Sequence, residues 1–328
     1  KNSINILKYH YNILKVLNIK NKIIILHIGS SVLGKQNSIK RFINSLYFRK
    51  YIKKWAKEDN GKKKVILSYT ANSMFLGLVK LAKKYNKGIV AGCIIADIPQ
   101  FATARQETGL KKLYHDYQVK KCASLYSFVD RFVLLTKYMA RKLEIKSPYI
   151  VVEGIATTDE ATVDETTANT LKNDRYVLYS GTLNYKFGIK VLLDAFEAIK
   201  DESLKLVICG FGEAEELIKE KQKTDARIVY LGRVDRAEVL ALQRNATVLV
   251  NPRQNNEEFT QYSFPSKNLE YLSSGVPLVA YKLDGIPDEY DEFIAYPECD
   301  SPEALAYEII EICNMPHEDR IAKGKKAK

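Results

Sequence analysis

No stretch of about 18 consecutive apolar residues occurs in this 328-residue chain, so the sequence offers no membrane-spanning helix. Lys1 to Lys8 do not read as a signal peptide, because neither a clean apolar core nor a small-residue cleavage site follows them. An initiator Met is lacking, and the chain opens inside a helical pattern (Ile4, Ile6, Leu7, Tyr11, Leu14) and stops on Lys-rich residues. Both ends are therefore expected to have lost an element. Cysteine is scarce: Cys93, Cys122, Cys209, Cys299 and Cys313 form no Cys-x-x-Cys pair and have no ligand-like spacing to the four histidines. That pattern speaks against disulfides and zinc, and predicts reduced, buried thiols in a cytosolic protein. Asp-x-Asp is absent too. Acidic residues are rare in one half of the chain only. Residues 1–156 hold 30 Lys/Arg against 8 Asp/Glu, a balance of +22, whereas the remainder holds 21 against 31, a balance of −10. Such asymmetry predicts that the first half meets something anionic, with nucleic acid and an anionic membrane surface as the candidates.

What is present is an alternation of short apolar runs and amphipathic segments. Runs at 22–28, 64–68, 88–95, 132–135 and 149–152 read as buried strands, with helical patterns at 39–57, 73–85 and 103–128 between them. The second half repeats the scheme, with strands at 176–180, 204–209, 227–231, 247–251, 277–281 and 293–296. Its helical segments fall at 189–199, 213–221, 237–244, 266–273 and 302–314. Strands buried on both faces and alternating with helices predict an α/β protein with parallel, doubly wound sheets. The Thr-, Ala- and acid-rich stretch 157–175, where the charge balance changes sign, reads as a linker or a weakly packed helix between two Rossmann-like domains, 1–156 and 176–328, facing each other across a cleft.

In open α/β sheets ligands bind beyond the carboxyl ends of strands, against helix N-termini. Three loops of the second half suit that. The first is Gly181-Thr182-Leu183-Asn184-Tyr185-Lys186-Phe187-Gly188, where Gly181 permits close backbone approach and Lys186 is placed to neutralise phosphate; a plain strand-to-helix turn would look the same. The second, Gly210-Phe211-Gly212-Glu213, starts like a dinucleotide fingerprint but has Glu215 at the third glycine position, which favours an ordinary tight turn. Gly232-Arg233-Val234 is a similar loop, suited to backbone contact with a base. The third is Ser263-Phe264-Pro265-Ser266-Lys267-Asn268-Leu269-Glu270, closed by Gly275. Pro265 suits a helix start and Gly275 a helix stop, so the N–H groups near Ser266 and Lys267 are free for a diphosphate. Glu270 lies one turn deeper on the face of Ser266, where it could accept hydrogen bonds from ribose hydroxyls or stand as a plain solvated helix residue.

Taken in order, these segments resemble the C-terminal domain of retaining GT-B glycosyltransferases of family 4, from Tyr176 onward. The resemblance is carried by the Gly-x-Leu loop, Gly-x-Gly-Glu, Leu-Gly-x-Val, the strand ending Val250-Asn251-Pro252, Gly275-Val276-Pro277-Leu278-Val279-Ala280, and Asp284-Gly285-Ile286-Pro287-Asp288-Glu289. Tyr262-Ser263-Phe264-Pro265-Ser266-Lys267 looks like the subgroup that builds capsular, O-antigen and exopolysaccharide repeats. The first half is similar more loosely, through Ala96-Asp97-Ile98-Pro99, Leu134-Leu135-Thr136-Lys137-Tyr138-Met139 and Val152-Glu153-Gly154-Ile155; the family's first strand and Gly-rich loop are expected before Lys1. Three positions depart from the pattern. The first carboxylate of Glu-x7-Glu falls on Tyr262 and the second on Glu270, with Glu257 and Glu258 nearby as substitutes. The Arg after the first Gly is Thr182, and the Lys position holds Phe187.

The resemblance implies a retaining, metal-independent hexosyltransferase that needs no cofactor beyond a nucleoside-diphosphate sugar, with UDP favoured. The acceptor would be a glycan or lipid-linked sugar of surface polysaccharide synthesis. Departure of the diphosphate is the hard step, so positive charge from Lys186, Arg253, Lys267 and helix N–H groups is the expected catalytic contribution, with Glu270 holding the ribose. Gly181, Thr182, Gly210, Gly212, Arg233, Val234, Tyr262 and Ser266 complete the expected donor site. In the basic half, 39–57 sets Phe48, Tyr51, Ile52 and Trp55 among Arg41, Arg49, Lys50, Lys53, Lys54 and Lys57, which suits a helix lying on an anionic cytoplasmic leaflet; an ordinary surface helix with one apolar face would look the same. No nucleic-acid-binding module is visible. Two other readings stay open: a sugar-nucleotide 2-epimerase-like isomerase, and a non-catalytic nucleotide-sugar binder.

Overall fold

The computed structural model describes residues 38–59, 61, 63–98, 108–156 and 167–328. The strand expected at 22–28, the opening helical pattern, Pro99 and most of the expected linker lie outside them. The described chain divides into two compact units, each an α/β body with a parallel sheet.

In the first unit, β1 (Val65–Tyr69), β2 (Val90–Ile95), β3 (Arg131–Leu134) and β4 (Tyr149–Val151) form a four-stranded sheet in that order. Helices α1 (Ser38–Lys57), α2 (Ser73–Tyr85) and α3 (Gly109–Leu125) connect and flank them. Helix α2 starts where Asn72 accepts a hydrogen bond from the Met74 N–H at 2.8 Å, satisfying one of the free donors of the first turn. On α1, Ile52 and Ala56 are buried against Leu78, Ala82 and Ile89, with Phe48 and Trp55 packed around them. Three of the four large side chains expected to face a membrane from 39–57 thus serve the core, and Tyr51 is the one left exposed.

The second unit holds Val151–Lys328 together with the described residues 96–98 and Leu134–Glu144, which includes α4 (Lys137–Lys142). After the short α5 (Thr167–Thr170) come β5 (Arg175–Thr182), α6 (Ile189–Ala198), β6 (Leu204–Phe211), α7 (Glu215–Thr224) and β7 (Ile228–Gly232). The chain continues through α8 (Arg236–Asn245), β8 (Val248–Asn251), α9 (Ser266–Ser274), β9 (Leu278–Ala280), β10 (Ile294–Ala295), α10 (Pro302–Asn314) and α11 (His317–Ala327). The sheet order β10-β9-β8-β5-β6-β7, all parallel, is the Rossmann order, and its direction reverses between β5 and β8. Both faces of this sheet are covered. Val177, Tyr179, Leu206, Ile208, Val248 and Val250 point into one core, and Tyr176, Leu178, Val207, Cys209 and Leu249 into the other. Burial on both faces is why these strands read as continuous apolar runs.

The Lys-rich stretch forms helix α11, docked at Gly275, where a Cβ added to Gly324 would come within 2.1 Å of the Gly275 carbonyl oxygen. One expectation needs correction. The cysteines are not all buried, since Cys299 is exposed. Burial pushes the thiols of Cys93 and Cys209 up to about 12 and those of Cys122 and Cys313 to about 11, which keeps these four inert. No described helix is long and apolar enough to cross a membrane.

Candidate functional site

The reversal of strand order places the carboxyl ends of β5 and β8 side by side, the position where open α/β sheets bind ligands. Gly181 ends the central part of β5 directly opposite Gly210 on β6. Their φ angles of 152° and 142° lie in a region that L side chains avoid. A Cβ on Gly210 would sit 1.7 Å from the Gly181 carbonyl oxygen, and one on Gly181 would sit 1.7 Å from Lys267 Nζ. The missing side chain at Gly181 is therefore the space through which Lys267 reaches the end of the strand.

Lys267 starts from the first turn of α9. Pro265 precedes that helix and no side chain caps it, so the Ser266 and Lys267 N–H groups keep their donor capacity. Lys267 Nζ lies 5.6 Å from the ring centroid of the buried Tyr179, whose hydroxyl donates to the Thr182 carbonyl at 2.9 Å. Burial lowers the Lys267 pKa below the ordinary lysine range, and Glu270 partly offsets that shift. An anion arriving here would meet a cation with little water around it.

Arg253 follows β8. Its guanidinium lies 4.4 Å from the Phe259 centroid and 5.5 Å from that of Phe187, and Nη2 donates to Ser263 Oγ at 3.1 Å. Lys186 Nζ lies over the same rings, 5.1 Å from Phe187 and 5.8 Å from Phe259. The structure thus brings Lys186 and Arg253 together on two shared aromatic faces. Phe187, where the resemblance called for lysine, is the ring that both cations use. Gly188 makes this approach possible: at φ 84° its Cβ would fall 1.9 Å from the Pro252 carbonyl. Burial lowers the Arg253 pKa to about 10, which leaves it charged at neutral pH.

Glu270 is held from two sides. Gln243 Nε2 donates to Glu270 Oε1 at 2.7 Å, and Arg236 Nη1 donates to Oε2 at 3.0 Å. Gln243 is fully buried and also donates to Ser180 Oγ at 3.2 Å. The Tyr271 hydroxyl accepts from the Ser180 N–H at 2.8 Å, fixing α9 to β5. Sequence reasoning missed Gln243, Arg236 and Ser180; the available signal was a glutamine in the apolar run of α8, beside Leu242. Four buried side-chain polar atoms among the described residues lack a partner, and three of them, Gln243 Oε1, Arg253 Nε and Asn268 Nδ2, belong to this cluster. Such orphans are costly in a core and concentrate where a ligand or water completes them.

Other expected residues have local occupations. The Gly212 N–H donates to Glu215 Oε1 at 3.0 Å, and a Cβ on Gly212 would strike the Leu183 carbonyl at 2.6 Å, so this glycine pair serves the packing of β5 against β6. The Arg233 guanidinium lies 5.0 Å from the exposed Phe211 ring, while Val234 packs into the core. Tyr262 ends a 3-10 turn, Glu258–Tyr262, that is held by α4. Lys142 Nζ pairs with Glu258 at 2.6 Å and lies 5.6 Å from the Tyr262 ring, and Thr136 Oγ1 donates to the Gln261 carbonyl at 3.0 Å. Glu258 is thereby committed to Lys142. No group of three or more metal-ligating side chains is positioned to hold a metal among the described residues.

Residues 174–315 match the family model described as Glycosyl transferases group 1, which places that match on the unit just described. Together with the structural likenesses, it supports a glycosyltransferase of the GT-B fold class. Phosphatidyl-myo-inositol mannosyltransferase of Mycobacterium leprae is 33% identical over 99 residues, which is 30% of this chain and 25% of the relative. The chain thus spans only a quarter of that curated relative. Sucrose-phosphate synthase from Thermosynechococcus elongatus superposes with a TM-score of 0.61 at 16% identity, covering 94% of this chain and 79% of the other. Anabaena HepE in complex with UDP gives 0.60 at 15% identity, covering 85% and 75%. At such identities the likeness is one of fold.

Proposed function

We propose that this protein transfers a sugar from a nucleoside-diphosphate sugar, with UDP as the carrier, to a glycan or lipid-linked acceptor with retention at the anomeric carbon. The observation that carries the reading is the passage of Lys267 across Gly181 at the open N-terminus of α9, with Glu270 one turn further along. The helix N–H groups and Lys267 would take the diphosphate, and Glu270 the ribose hydroxyls. Lys186 and Arg253 would stabilise charge that grows on the leaving diphosphate as the glycosidic bond breaks, an effect strengthened in a water-poor site. No residue is assigned as a nucleophile, and the chemistry proposed asks nothing of a metal. The UDP complex of HepE and the group 1 family match support the donor class.

The surface-polysaccharide role and docking to an anionic cytoplasmic leaflet belong to the same proposal, supported by the basic balance of residues 1–156. Incubation of UDP-sugars with and without a polyprenyl-diphosphate-sugar acceptor tests it. Acceptor-dependent UDP release with transfer of the sugar is expected. Conversion of the donor alone into an epimer would instead establish an isomerase.

A further inference from the structure

Helix α3 carries apolar side chains on two faces. One face is anchored: Cys122 and Leu125 are buried, Cys122 Sγ donates to the Ala71 carbonyl at 3.4 Å, and Gln118 is hydrogen-bonded to Ser73 at the start of α2. The other face presents Leu110, Leu113, Tyr114 and Tyr117, which are 84%, 66%, 66% and 56% exposed. Their spacing of i, i+3, i+4 and i+7 makes one continuous stripe along two turns. Lys111, Lys112, Lys120 and Lys121 are exposed along the helix, Lys120 and Lys121 beside the stripe, with Asp116 as its acidic residue. Lys121 Nζ lies 5.6 Å from the Tyr117 ring.

We propose that this stripe is where the protein meets an anionic lipid bilayer, with α3 lying in the plane of the headgroups. The chemistry fits lipid better than a protein partner. Tyrosines with an apolar ring and a polar tip suit the headgroup depth, and lysines extend their stems over apolar surface while their charges reach lipid phosphates. The stripe runs roughly 10 Å along one helix and offers four side chains, against about 20–30 residues a side in a standard protein interface. The positive balance of the first 156 residues adds attraction that a neutral bilayer would not answer. The assignment deepens the membrane part of the proposed function and rests on it for its purpose, while placing contact on α3 instead of α1.

Sedimentation with phosphatidylglycerol-rich and with pure phosphatidylcholine vesicles tests it, in the absence of donor and acceptor. The full chain is compared with a variant carrying Leu110→Ser, Leu113→Ser, Tyr114→Ser and Tyr117→Ser; thermal unfolding of both reports whether the first unit stays folded, and UDP titration reports on the donor site of the second. Wild-type recovery with anionic vesicles alone, reduced at least about ten-fold in the variant, is expected. Equal recovery on both vesicle types, no recovery on either, or undiminished recovery of the variant would overturn the assignment. So would light scattering that shows a wild-type dimer and a monomeric variant, which would make the stripe a contact between copies. Vesicle binding that persists where UDP fails to bind would leave this surface standing and remove the transferase reading instead.

Discussion

The Gln243 side-chain amide, fully buried, donates at 2.7 Å to the carboxylate of Glu270 across 27 residues of sequence. This fixes one carboxylate oxygen and leaves the other to the exposed Arg236, with a side-chain exposure of 66%. A ribose hydroxyl would compete with Arg236 and leave Gln243 in place. Gln243 is thus a positioning residue for Glu270.

Replacing Gln243 by Leu keeps the volume and removes the donor. UDP affinity is expected to fall about ten-fold, close to 1.4 kcal/mol, as Glu270 loses its fixed orientation. Stability should fall by about 1–3 kcal/mol as buried acceptors lose their partner. Calorimetric titration and thermal unfolding separate the two, and unchanged affinity in a folded variant would remove the positioning role.

Arg236→Ala should behave differently. An exposed ion pair contributes about 0–1 kcal/mol, so unfolding should change little. UDP should bind at least as well once the second oxygen of Glu270 is free. A marked loss of affinity would mean that Arg236 itself contacts the nucleotide.

The two facing glycines separate function from folding. In Gly181→Ala the new methyl meets the mobile end of Lys267, whereas in Gly210→Ala it meets the Gly181 backbone. Both incur backbone strain of about 1–3 kcal/mol. Gly210→Ala adds an overlap that the sheet cannot relieve, so its melting temperature should fall further. Gly181→Ala should fold and yet lose nucleotide binding.

Lys267 gives a pH signature. Its folded pKa lies below the unfolded value, so the unfolded state binds more protons between the two and stability rises with pH through that window. Below the folded pKa the cost of burying the charge is present in full. Diphosphate binding has the opposite dependence, because the anion favours charged Lys267: affinity should weaken as pH climbs through the free-protein pKa. Lys267→Met should bind more weakly and lose most of that fall, as measured by titration across a pH series running up to the ordinary lysine range.

Much of the fold was legible because its signals are local. Helix α2 was read over 73–85 and α10 over 302–314, where Asn72 and Ser301 supply caps: the Ala304 N–H donates to Ser301 Oγ at 3.1 Å. The strands of the second unit were legible from apolar runs with both faces buried. Helix α11 was not, because it is largely polar and its place depends on the close approach of Gly324 to Gly275. The loops at the carboxyl ends of β5, β6 and β8 could be named from glycine, proline and lysine placement. The partners of Glu270 could not, since they come from another helix, and neither could the hold of Thr136 on the Gln261 carbonyl across 125 residues. Phe187 shows the same limit: read as a lost lysine, it proves to be the ring beneath two cations.

The most direct measurement is calorimetric titration of UDP, GDP and dTDP into the wild type and Glu270→Ala. Selective binding of UDP, weakened at least about ten-fold in the variant while its unfolding temperature is retained, is the predicted result. Absence of binding by all three nucleotides, or equal binding by the variant, would contradict a donor site at the N-terminus of α9.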